Sequence, residues 1–133
     1  MTPSIVRRTW HFFLGICSLA ILAQMLATPA LAHHSFAMFD NTKEVTLVGT
    51  VKSYSFRMPH TWFYVLVEKP GGETEEWGME MGSPNLLARK GWHINSLKPG
   101  DKVTVVIHPM KNGKKAGSVV SVLMPDGQTL SNK

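Results

Sequence analysis

Residues 61–81 read TWFYVLVEKPGGETEEWGMEM and carry the clearest fold signal in the chain. The segment from Thr61 to Glu68 is dense in aromatic and β-branched side chains, which favour strands. Pro70-Gly71-Gly72 supplies a turn, and Glu76 to Met81 follows as a return strand whose apolar residues alternate onto one face. The stretch therefore predicts a β-hairpin.

Further strands are predicted on both sides of this hairpin. Apolar residues alternate from Val45 to Phe56, and Gly49 in the middle suggests a bulge or sharp coil. Downstream, Lys102 to Met110 and Gly117 to Met124 have the same character. Asn112-Gly113 between them is a strong hairpin signal. We therefore expect five strands.

One short helix is predicted between the third and fourth strands. Ser83 is placed as an N-cap and Pro84 as the first helical residue, where the missing N–H costs nothing. Good helix formers continue to Lys90, and Gly91 is suited to a left-handed stop. Two turns of helix do not hold alone, so tertiary packing must fix them. The residues expected to pack under the sheet are Leu86, Leu87 and Trp92.

The order strand, strand, strand, short helix, strand, strand predicts a mainly β fold. A small OB-like five-stranded Greek-key barrel has this order, with one short helix between strands 3 and 4. A split sandwich is the alternative, because strand count does not reveal strand order. With neither repeat nor linker, residues 33–133 are predicted to form a single domain, and the tail beyond Gly127 to be frayed.

The N-terminus has the order of a secretory signal peptide. Arg7 and Arg8 precede an apolar stretch from Trp10 to Ala27, and Ala30-Leu31-Ala32 matches a signal-peptidase site. We predict cleavage after residue 32, hence a periplasmic or secreted protein. The alternative is a retained membrane anchor, because the stretch approaches the roughly 20 apolar residues that span a bilayer.

Cleavage would also change the chemistry of the chain. Cys17, the only cysteine, would be lost, so the mature domain would form no internal disulfide and no thiolate metal site. A lipoprotein cysteine is not favoured, because Ile16 precedes it. Twelve basic residues would remain against nine acidic ones, interleaved along the chain. We therefore expect no nucleic-acid partner and no stable membrane insertion after cleavage.

The predicted cleavage creates a candidate metal site. The mature chain would begin His33-His34, and a terminal amine with the imidazole of the same residue can chelate one metal ion. The amine, the next amide nitrogen and the imidazole of His34 form an alternative chelate. A further histidine would complete the nitrogen-rich set that Cu(II) prefers, and His60 is our candidate. His108 and His93 are the other options.

Each of these interpretations has a structural alternative. The segment from His33 to Asn41 shows no clear period, and the alternative is that it is a loosely held arm; the alternative for His60 is that it caps a strand by hydrogen bonding. Methionine thioethers suit Cu(I), but Met79 and Met81 share one face at strand spacing, which favours core filling. The methionines of the predicted mature chain are Met38, Met58, Met79, Met81, Met110 and Met124.

A second hypothesis is an interaction module for envelope glycans or proteins. Trp62 and Trp77 would be its contact surface, by analogy with the aromatic binding faces of OB barrels. The alternative is core packing of both indoles. The spacing reveals neither an acid–base carboxylate pair nor a nucleophile elbow. A copper oxidase would need an open coordination position and a substrate groove. We therefore expect binding rather than catalysis, with a metal ion or an envelope component as partner.

Several motifs together resemble a known family. They are HHSFAMFD, VTLVGTV, MPHTWFYVLV, GSPNLLARKGW, LKPGDKVTV and SVLMPDGQTL. The chain resembles an uncharacterised family of small exported bacterial proteins known as domain of unknown function 6152. The resemblance implies no activity, cofactor or catalytic residue. Met58 stands where the family usually has asparagine, and Met81-Gly82 where it has two glycines, so a polar contact of that asparagine is in doubt here.

Overall fold

The structure is a computed structural model that describes residues 36–132, and its regular secondary structure is almost wholly β-strand. A short 3₁₀ turn and one short helix complete the described elements. The elements are the 3₁₀ turn Phe36–Met38, β1 Val45–Ser55, β2 Trp62–Glu68, β3 Thr74–Glu80, α1 Pro84–Ala88, β4 Lys102–Pro109, β5 Ala116–Leu123 and β6 Thr129–Ser131.

The strands form one sheet that closes on itself. Antiparallel neighbours follow the order β3-β2-β1-β4-β5-β6, and β3 also pairs in parallel with β5. Five strands therefore form a ring, β1-β2-β3-β5-β4, with β6 outside it on β5. This closure confirms the prediction of a mainly β, OB-like five-stranded barrel with one short helix between β3 and β4. Closure also removes most of the exposed sheet edge.

Alternation along each strand determines what fills the barrel. Phe63 and Val65 of β2 lie opposite Met79 and Trp77 of β3, and paired residues of an antiparallel ladder point to the same side. Phe63, Val65 and Met79 are completely buried, so this side is the interior. Met81 is buried as well. The prediction that Met79 and Met81 fill the core is confirmed.

β1 bends because it pairs with two different strands. Its first half pairs with β4 and its second half with β2. A Cβ on Gly49 would lie 2.5 Å from the Leu66 carbonyl oxygen, so glycine permits this close approach of backbones. The irregularity in pairing lies between Val51 and Ser53. The bulge predicted at Gly49 is therefore displaced by two residues or more, and Gly49 serves the contact with β2.

The segment after β3 packs against the core through α1 and the residues that follow it. α1 begins at Pro84 as predicted, although Ser83 makes no side-chain capping hydrogen bond. Gly91 adopts φ +89°, the left-handed stop expected from the sequence. Leu87 and Trp92 are buried, whereas Leu86 is 58% exposed. Two of the three residues predicted to pin the helix are buried, and Leu86 faces solvent because it lies about 100° around the helix axis from its buried neighbour Leu87.

The tail beyond Gly127 forms a strand, so the prediction that it is frayed is wrong. β6 pairs with β5, and Leu130 is buried. The Trp92 indole donates a hydrogen bond to the Ser131 carbonyl over 3.0 Å. Asn132 accepts one from the Gly82 amide at 2.9 Å. These contacts join residues 39 and 50 positions apart in sequence and fix the tail, which is why local pattern did not reveal it.

The segment before β1 is held against the end of β4. Phe39 bridges Met110 and is only 2% exposed. The Asp40 amide donates to the Pro109 carbonyl at 2.8 Å, and the Lys111 amide donates to the Met38 carbonyl at 2.9 Å. The expectation of a loosely held arm is therefore wrong for residues 36–40. His33, His34 and Ser35 lie outside the described residues.

Candidate functional site

A histidine and a buried carboxylate meet at the open end of the β2–β3 hairpin, which we define as residues 60–62 and 80–82. Trp62 and Glu80 lie directly opposite each other where β2 begins and β3 ends. His60 precedes β2, and its Nδ1 lies 2.5 Å from Oε1 of Glu80. The His60 side chain is 30% exposed and that of Glu80 only 5%. The imidazole thus links a buried carboxylate to the surface.

Glu80 is buried although it points away from the barrel interior. Its neighbours Met79 and Met81 take the inward positions, so Glu80 lies on the outer side with Trp62. There it pairs with Ser118 of β5, which in turn pairs with His108 of β4. Ser118 and His108 are buried as well. A row of polar side chains therefore crosses three strands on the outer side of the barrel.

The His60–Glu80 pair has the arrangement of side chains that supports a metal-ligating histidine. A carboxylate on one ring nitrogen fixes the tautomer and the orientation of an imidazole and raises its basicity, the arrangement found behind metal-ligating histidines. Sequence reasoning identified His60 but missed Glu80. A signal was present: a turn centred on Gly71 pairs residues placed symmetrically about it, and this register puts the end of β3 beside His60.

The other candidate ligands are not brought to this pair. His108 is buried, with Nδ1 2.8 Å from the Lys43 carbonyl oxygen. His93 is exposed in the loop after α1, and its backbone carbonyl accepts a hydrogen bond from the Tyr54 hydroxyl. Within residues 36–132, no three metal-ligating side chains cluster. The proposed ligands His33 and His34 lie outside the described part of the chain.

The two tryptophans proposed as one contact surface lie on opposite sides of the sheet. Trp62 points outward with Tyr64, which is 39% exposed. Trp77 shares the inner side with Val65 and packs partly against the core. Both indoles are half-buried. A single aromatic face can therefore include Trp62 and Tyr64 but not Trp77, because alternation separates them.

The turn end of the same hairpin, which we define as residues 67–77, carries a different set of charges. Glu75 lies 3.2 Å from the ammonium groups of both Lys69 and Lys115. The pKa of the Glu75 carboxyl is held below its ordinary value, chiefly by Lys115 and then by Lys69. The Trp77 indole also donates to Glu75 at 3.3 Å. The Glu75 carboxylate is therefore already bound by three side chains of the protein.

The predicted signal peptide, residues 1–32, lies outside the described residues. Among residues 36–132, none of the helices is long and apolar enough to cross a membrane.

A solved structure with similarity to this chain changes one expectation. It is the mitochondrial single-stranded DNA-binding protein Rim1 of S. cerevisiae, with a TM-score of 0.47 and 11% sequence identity. The alignment covers 68% of this chain and 96% of that one. The likeness at this identity is one of fold, and the sequence-based exclusion of nucleic acid as a partner does not stand beside it.

Comparison by sequence leads to a family. No curated protein matches the chain. The family of unknown function DUF6152 matches residues 21–119, which is most of the chain and includes β1 to β4 and the open end of the hairpin. This agrees with the resemblance carried by the motifs around His60 and α1. The chain belongs to the family of unknown function DUF6152.

Proposed function

We propose that this is an exported, periplasmic protein that binds copper through His60 together with His33 and His34 at the terminus of the processed chain. Binding, without catalysis, is the proposed activity. Residues 1–32 act as the signal peptide, and cleavage after Ala32 releases the amine that the chelate needs. The metal is Cu(II), which favours a nitrogen-rich ligand set.

One observation carries this proposal, the contact between His60 Nδ1 and the buried Glu80 carboxylate. Metal-ligating histidines usually donate their second ring N–H to a carboxylate or carbonyl, and loss of that partner typically lowers metal affinity 10–100-fold. Glu80 is held by its strand pairings to β2 and β5, so it fixes the imidazole from a rigid element. Exposed Met58, two residues before His60, offers a thioether for the reduced ion.

The decisive experiment uses the full chain, expressed with its natural N-terminus and recovered after export. Mass spectrometry should give a chain that begins at His33. Titration with Cu(II) should give an electron paramagnetic resonance spectrum with nitrogen hyperfine structure. Alanine at both His33 and His34 should abolish tight binding, and the two single variants identify which chelate forms. His60→Ala should lower affinity at least tenfold.

The matched control is His93→Ala, which removes an exposed histidine from the loop after α1 and should leave affinity unchanged. Glu80→Gln should lower affinity 10–100-fold while the copper spectrum stays dominated by nitrogen. A mature chain that begins elsewhere, or copper affinity that survives both the terminal double substitution and His60→Ala, contradicts the proposal.

A further inference from the structure

The outer side of β1, β2 and β3 near the open end presents two aromatic rings to solvent. Tyr64 is 39% exposed, and Trp62 beside it is half-buried. Both project from β2, two positions apart, so they lie side by side on the same side of the sheet. Neither belongs to the hydrophobic core, which lies on the other side of this strand.

Polar and small residues flank these rings. Strand pairing places Ser55 and Glu80 on either side of Trp62, and Ser53 and Gly78 on either side of Tyr64. Hydroxyl groups thus line one edge of the aromatic pair, while a carboxylate and a glycine line the other. We define the aromatic face by its six residues, Ser53, Ser55, Trp62, Tyr64, Gly78 and Glu80.

Gly78 determines how the rings lie. A Cβ at this position would be 3.4 Å from Cε1 of Tyr64 and 3.8 Å from Cζ3 of Trp62. Both rings therefore extend over the backbone of β3, in van der Waals distance of the space a side chain would occupy. With no side chain beneath them, the rings lie close against the backbone of β3.

We propose that the aromatic face binds a neutral oligosaccharide, with sugar rings stacked on Trp62 and Tyr64. The C–H groups of a pyranose face carry partial positive charge and meet the negative face of an aromatic ring. Sugar hydroxyls can exchange hydrogen bonds with the exposed Ser53 hydroxyl and with Ser55, whose Oγ also accepts a hydrogen bond from Arg57 Nε at 2.6 Å. The face shares the buried Glu80 with the proposed copper site, but stacking on these rings needs no metal ion.

Charge favours a sugar over single-stranded nucleic acid on this face. Nucleic-acid grooves combine stacking aromatics with cations that follow the phosphate backbone. Here the exposed Glu76 and the buried Glu80 lie along β3 next to the rings, Lys52 on β1 is ion-paired with Glu76, and Arg57 Nε donates to Ser55 at the edge of the face. A phosphodiester would therefore meet the Glu76 carboxylate as well as the Arg57 guanidinium, whereas a neutral sugar meets no repulsion.

The test is calorimetric titration of the exported protein in excess chelator, so that copper is absent. The probes are β-1,4-linked hexamers of glucose and of N-acetylglucosamine, and a 15-nucleotide oligothymidylate. We expect one of the hexasaccharides to bind, and Trp62→Ala and Tyr64→Ala each to weaken it at least tenfold. Leu123→Ala is the matched control, since this exposed apolar residue lies on β5, away from the face.

Gly78 provides a second, geometric test. Gly78→Ala should retain binding, because the added Cβ makes only ordinary contacts of 3.4–3.8 Å. Gly78→Val should weaken binding at least tenfold, because the branched side chain lifts the rings from the sheet; circular dichroism checks that the fold is intact. The proposal is overturned if neither hexasaccharide binds, if only the oligothymidylate binds, or if Trp62→Ala leaves sugar affinity unchanged.

Discussion

The two ends of the β2–β3 hairpin contain the same kinds of side chain in opposite environments. Each end has a glutamate, a tryptophan and a basic residue. At the turn end, Glu75 meets two lysines and the Trp77 indole on an accessible surface. At the open end, Glu80 is buried and contacts His60, while Trp62 faces outward beside it.

The difference shows why one end is a candidate site and the other is not. At the turn end, Glu75 is ion-paired with two ammonium groups, which have no lone pair to offer a metal ion. Histidine is the commonest metal ligand among side chains. The open end therefore combines a rigid, buried acceptor with a group that can ligate a metal ion.

The largest expected effect is the loss of the buried carboxylate. Glu80→Ala should lower the free energy of unfolding by about 1–3 kcal/mol, because it removes the hydrogen-bond partner of His60 and the packing around it. Glu75→Ala should have a smaller effect, since exposed ion pairs contribute little. Urea denaturation of the two variants measures the comparison. Equal destabilisation by both would show that the two ends do not differ as we describe.

The comparison also shows what sequence pattern can and cannot reveal. Alternation and turn residues predicted the hairpin and its inner side at Met79, and the Ser83-Pro84 pair predicted the helix start at Pro84, because these features depend on near neighbours. It did not reveal the parallel contact of β3 with β5, the strand β6 or the docking of Phe39, which bring together residues far apart in sequence. Strand periodicity determines a face but not a strand's neighbour.

The same distinction between local and long-range features separates the residues of the candidate site that sequence reasoning found from those that it missed. His60 was found from its residue type and loop position, and the exposed side of Trp62 follows from alternation. Glu80 was missed, because the local sequence does not distinguish a buried glutamate in a strand from an exposed one. Trp77 was grouped with Trp62 by residue type, although its own alternation with Met79 already placed it on the inner side.

A smaller effect is expected from the core beneath the open end. Thr61 is completely buried, and its hydroxyl has no hydrogen-bond partner among the described residues. Thr61→Val keeps the shape and removes an unsatisfied polar group, so we expect the free energy of unfolding to rise by about 1 kcal/mol. Thr61→Ser, which keeps the hydroxyl and loses a methyl, is the control. Destabilisation by valine would mean that the hydroxyl has a partner.

The smallest expected effect is a change in stability at acid pH, which depends on the Glu75 carboxyl at the turn end. Because the Glu75 pKa is lowered in the folded protein, its contribution to stability is full above its ordinary pKa of 4.5 and is lost as pH falls below that value. Lys115→Met removes the main cause, so the Glu75 pKa should move up toward 4.5 and stability between pH 5 and 3 should decline less. Carboxyl chemical shifts followed by NMR during acid titration measure both changes, with Lys114→Met, a neighbouring exposed lysine, as control. An unchanged Glu75 pKa in Lys115→Met would mean that the ion pair at 3.2 Å does not persist in solution, and the turn end would then differ from the open end in burial alone.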